Sequence, residues 1–83
     1  MPVDYSTIRS VYNVRVQPGD VHVLFSLEYF TKHGTNQRFD IGVSPDDAKH
    51  ILEELLRNSL IKRSEANAAR AKVQDLERAA VRK

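Results

Sequence analysis

The sequence predicts an α+β fold: a three-stranded antiparallel β-meander packed on one α-helix, followed by a C-terminal helical extension (β-β-β-α). Three observations lead there. Three stretches of alternating apolar residues are separated by residues that favour chain reversal, which is the pattern of consecutive strands. A Ser-Pro-Asp-Asp run at 44–47 then opens a stripe of apolar residues at helical spacing, and no Gly or Pro follows Pro45 to interrupt a helix.

Met1 to Thr7 shows no periodicity and reads as a loose lead-in. From Ile8 the residues alternate, with Ile8, Tyr12, Val14 and Val16 assigned to the inner face and Arg9, Val11, Asn13, Arg15 and Gln17 to the outer. Gln17-Pro18-Gly19-Asp20 places Pro and Gly at the central positions of a type II turn, where a fixed φ is followed by a positive one. Such a turn matches strand twist poorly, so a bulge or some splaying is expected beside it.

Val21 to Phe30 is the candidate central strand because it alone carries large apolar groups on both faces. Val23, Phe25, Leu27 and Tyr29 point inward; Leu24 and Phe30 are left for partial cover or for contact. Lys32 to Gln37 is a polar loop in which Gly34 or Asn36 can take a left-handed conformation. Arg38 to Val43 is the third strand, with Phe39, Ile41 and Val43 directed inward.

Ser44 can cap the helix that follows. Pro45 suits its first position because the missing N–H had no intrahelical partner, and Asp46 and Asp47 oppose the positive end of the helix dipole. Ala48, Ile51, Leu52, Leu55, Leu56 and Leu60 make a stripe wide enough to cover one sheet face. Glu53 and Arg57 have the spacing of an i,i+4 ion pair. Either the helix runs to the C-terminus or it breaks near Asn58-Ser59 or Ser64.

In the tail, Ala66, Ala69, Val73, Leu76 and Ala80 form a thin heptad-like seam. The chain divides on this reading into a body, residues 1–61, and a basic, Ala-rich extension, residues 62–83. The net charge of +2 is unevenly placed, with six Lys/Arg against eight Asp/Glu in the body and seven against three in the extension. Removing the tail from Ala66 onward is expected to leave the body folded.

The 83 residues contain no cysteine, which excludes disulfides and thiolate metal sites. A chain this short gains little from its core alone, so a second subunit or a partner is an expected supplement. The absence of cysteine and of any long apolar run makes a cytoplasmic location, away from membranes, the expectation. His22, His33 and His50 fall on three separate elements, and His50 with Glu54 is too few ligands for a metal. The three glycines stand apart and form no phosphate loop. No catalytic residue, cofactor, metal or small-molecule substrate is therefore expected.

Two functional expectations remain. The first is a small, non-enzymatic protein-interaction module, an adaptor or an inhibitor of the kind carried by phages and mobile elements, binding a protein partner or a second copy as a homodimer. Its candidate surfaces are the outer sheet face, with Arg9, Val11, Arg15, Leu24 and Phe30, and the tail seam. The alternative is a small dimeric DNA-binding regulator. The order of a strand, a Ser-Pro-capped helix and a helix opened by Arg63-Ser64-Glu65 resembles a ribbon-helix-helix repressor, which implies nucleic-acid contacts from Arg38, Arg63 and Arg70. Against that pattern, Asn67, Arg70 and Ala71 stand where bulky apolar residues would pack a dimer, and Asp40 would face phosphate.

Overall fold

The computed structural model describes residues 5–20 and 22–81, with the backbone alone at 80 and 81. Strands β1 (Ile8–Pro18), β2 (Val23–Thr31) and β3 (Asn36–Val43) form an antiparallel sheet in the order β1-β2-β3. Helices α1 (Pro45–Arg57) and α2 (Arg63–Val81) follow. The predicted α+β meander is present, with the C-terminal helix in place. What differs is where that helix goes.

The two helices form an antiparallel hairpin on the inner face of the sheet, α1 over β2 and β3 and α2 over β1. Lys49 to Glu77 at 3.1 Å and Glu53 to Arg70 at 3.9 Å bridge the helices in the pairing order of an antiparallel arrangement. Glu53 is therefore turned toward α2, and Arg57 pairs instead with Glu54 at 3.0 Å. The 61/62 boundary is a turn inside a single core, since Ile61, Ala66 and Val73 are buried with Phe25, Leu27, Leu52 and Leu55. Full burial of each large apolar side chain in this group contributes roughly 1.5–3 kcal/mol. The extension is thus a second covering helix, needed because one helix is too narrow for three strands.

Strand β1 departs from simple alternation. Its register with β2 shifts between Ile8 and Ser10 and again between Val11 and Asn13, marking a bulge at each place. A bulge sets two residues of one strand against one of the other and changes the phase of the side chains. The inward residues are consequently Ile8, Val11, Val14 and Val16, and Tyr12 points outward with 48% exposure. This corrects two expectations: Val11 belongs to the core, and Tyr12 does not.

The reversals are built locally. Pro18 remains in β1, paired with Val23, so the turn lies at 19–22 and not at 17–20. At a strand end the missing proline N–H costs little. The Gly19 N–H donates to the His22 carbonyl at 2.9 Å, and a Cβ on Gly19 would collide with that oxygen. Val21, expected to begin the second strand, lies outside the described residues.

Between β2 and β3, Gly34 takes the left-handed conformation, φ 81°, and its N–H donates to the Thr31 carbonyl. The Thr31 N–H donates to the Thr35 carbonyl, closing the three-residue hairpin loop expected of a glycine in that place. The lead-in contains a short 3-10 turn, Tyr5–Thr7. Tyr5 packs against the core, and burial, followed by the charge of Glu54, raises its hydroxyl pKa above the usual value.

Helix α1 starts as its sequence dictates. The Asp47 N–H donates to Ser44 Oγ at 3.2 Å, and Pro45 occupies the first turn. It ends in a Schellman arrangement: the Leu60 N–H donates to the Leu55 carbonyl at 2.9 Å and the Ser59 N–H to the Leu56 carbonyl at 3.0 Å. Ser59 supplies the positive φ of 58° that this motif requires. The break falls at Asn58–Ser59, one of the two predicted places.

Candidate functional site

With both helices on the inner face, none of the described elements covers the outer one. The strand registers arrange this surface in rows: Ser10, Phe30 and Asn36; then Asn13, Glu28 and Arg38; then Arg15, Ser26 and Asp40; and finally Gln17, Leu24 and Gly42.

The apolar end is an aromatic pair. Tyr12 and Phe30 lie with ring centroids 4.9 Å apart and planes inclined at 37°. The bulge makes this contact possible, because it sends Tyr12 to the same side as Phe30. Phe30 is 37% exposed, and the pair stands in solvent beside Arg9 and Ser10. Exposed aromatic rings with a polar surround are the usual anchors of protein interfaces, since they bury much area while losing little side-chain freedom.

The middle of the face is polar and internally paired. Asn13 Nδ2 donates to Glu28 Oε2 at 2.7 Å, and Arg38 Nε donates to Asp40 at 3.0 Å. A hydrogen bond from the buried Ser26 and then the Arg38 guanidinium hold the Asp40 carboxyl below the ordinary carboxylate pKa. Arg15 shares this row. Leu24, half-buried, closes the opposite end.

The predicted outer-face set is therefore modified at one position: Arg9, Arg15, Leu24 and Phe30 remain there, and Tyr12 replaces Val11. No motif signals a β-bulge in this chain, but the spacing of 8, 11 and 14 between apolar residues is the mark it leaves. The tail seam fares differently. Ala66 and Val73 are buried at 2% and 0% exposure, and Ala69 and Leu76 pack against the same core. Ala66, Val73 and Leu76 therefore face the body and not an external partner, whereas Ala69, half-buried, also lines the open groove beside β1. Ala80 lies outside the described side chains.

The three arginines of the nucleic-acid alternative do not converge. Arg38 stands on the outer sheet face bound to Asp40, whereas Arg63 and Arg70 belong to α2 in the other layer, Arg70 beside Glu53. Strand β3 is also the last strand of a meander, not a free ribbon. Among the described residues there is no cluster of His, Cys, Asp or Glu able to hold a metal ion, and no helix is long and apolar enough to cross a membrane.

Neither a scan against protein-family models nor searches of curated proteins and of solved structures find a match to this chain. Its surfaces must speak for themselves.

Proposed function

We propose that the protein is a small non-enzymatic interaction module, an adaptor or an inhibitor of the phage or mobile-element kind, that binds a protein partner through its outer sheet face. One observation carries this reading: the aromatic pair Tyr12–Phe30 is placed in solvent on a sheet face opposite both helices. A sheet needs only one covered face to be stable. Large aromatic side chains on the other face add nothing to the core and are suited to being covered by another molecule. The paired polar groups beside them, Asn13–Glu28 and Arg38–Asp40, present fixed donors and acceptors around the apolar anchor.

The test is partner capture from the native host with the wild-type chain and with Phe30→Thr, followed by reconstitution with the purified partner. Threonine retains strand preference and removes the ring. The expected result is an identical circular dichroism spectrum and at least a tenfold weaker complex, since truncating a hot-spot aromatic costs about 2 kcal/mol or more. Equal affinity for the two proteins would dismiss the outer face as the binding surface.

A further inference from the structure

We infer that the groove between β1 and α2 is the seat of a second copy of this chain, so that the protein forms a two-fold dimer with β1 against β1 and α2 against α2. Strand β1 is an edge of the sheet. The connection between the helices reaches that strand at Val11, whose N–H meets the Leu60 carbonyl at 3.4 Å. Beyond this point the strand from Tyr12 to Gln17 lies along an open groove whose other wall is α2, with Glu65, Ala68, Ala69 and Lys72. An open strand edge is a template for pairing with another strand.

The charges on the groove select the occupant. Glu65 and Lys72 stand at equal sequence distance on either side of the Ala68–Ala69 pair, and the strand wall from Tyr12 to Gln17 is centred at Val14–Arg15. A two-fold axis normal to the sheet can therefore pass close to Val14 and Ala68–Ala69 together. Two copies of α2 related by that axis run antiparallel. Glu65 of each then faces Lys72 of the other, and the alanines at the axis let the helices approach closely. On the strands, Val14 meets its own copy and Asn13 meets Arg15, with no like charges opposed. The interface is self-complementary, as a two-fold contact must be. Within one chain Glu65 and Lys72 are seven positions apart, too far for the i,i+3 or i,i+4 contacts of a helix surface. Tyr12 belongs to both surfaces, at one end of the groove and against Phe30 on the outer face, whereas the Phe30 ring is left uncovered by a dimer of this kind.

The experiment is a charge exchange read by analytical ultracentrifugation, with circular dichroism on every sample. The wild-type chain is expected to sediment as a dimer. Glu65→Lys and Lys72→Glu each set like charges against one another at two symmetric places, and each is expected to weaken the dimer roughly tenfold or more. Mixing the two single variants in equal amounts restores complementary pairs and is expected to restore the dimer as a heterodimer; the double variant E65K/K72E restores it as a homodimer. Both residues are exposed, so the folded monomer is expected to survive each change. A wild-type chain that stays monomeric at about 1 mM, a single variant as dimeric as wild type, or a mixture that fails to recover each overturns the inference. None of these outcomes depends on capture of another protein, so the outer-face reading stands or falls separately.

Discussion

Val73 of α2 is fully buried in the same cluster as Val11 of β1. The C-terminal helix therefore closes the half of the core that α1 cannot reach. Removing residues 63–83 would uncover Ile8, Val11 and Val16 together, and a domain of this size has only a few kcal/mol in reserve. The expected outcome is loss of cooperative unfolding, contrary to the expectation from sequence that the body folds alone. As a milder test, Val73→Ala should cost about 2 kcal/mol from lost burial and the cavity left behind. Urea denaturation followed by circular dichroism decides; a truncated chain with an unchanged midpoint refutes this account of α2.

The facing of β1 gives a second prediction. Val11→Ala should destabilise by about 2 kcal/mol, because a buried side chain is truncated. Tyr12→Thr should cost less than about 1 kcal/mol, mostly the contact with the Phe30 ring. Simple alternation predicts the reverse order, so comparing the two urea midpoints tests the bulge directly.

How far the fold was legible depended on whether its signals were local. The start of α1 could be read from Ser44, Pro45, Asp46 and Asp47 because the cap involves groups within one turn of chain. Gly34 was legible for the same reason: few residues other than glycine suit a positive φ in a hairpin. The phase of β1 was not, since the extra residue of each bulge is defined against the partner strand and period-two counting passes over it. The seam of α2 showed helical spacing, but alanines and a valine at such positions do not say which surface they meet. Its destination is a long-range contact. The outer face could be read as a surface from the strand pattern, although its aromatic anchor emerged only once the bulge had turned Tyr12 toward Phe30.

Ser59 offers a stabilising substitution. It holds a left-handed backbone conformation, φ 58°, at the end of α1, where its N–H and that of Leu60 complete the Schellman bonds. A side chain there crowds the backbone, at a cost of roughly 1–2 kcal/mol that glycine avoids, offset in part by glycine's greater freedom when unfolded. Ser59→Gly should therefore raise stability by about 0.5–1 kcal/mol, seen as a higher thermal midpoint. A lower midpoint would show that this residue is not in the left-handed conformation.

Asp40 supplies a pH-dependent test of the outer face. The Ser26 hydrogen bond, and after it the Arg38 guanidinium, favour the charged carboxylate and lower its pKa from 3.8. A folded-state pKa below the unfolded value means that the unfolded chain binds more protons in the interval between them. The contribution is therefore complete above the unfolded value and disappears as pH falls through the folded one. Carbon-detected NMR titration of the Asp40 carboxyl should give a midpoint below 3.8, and both Ser26→Ala and Arg38→Gln should raise it, Ser26→Ala by more. Asp40→Asn should remove that contribution, so the variant lies slightly below wild type at neutral pH and converges with it in strong acid, the difference staying small because the group is exposed. A midpoint at or above 3.8 in the wild-type chain would show that Ser26, Arg38 and Asp40 do not form the bonded row on which the fixed polarity of this face depends.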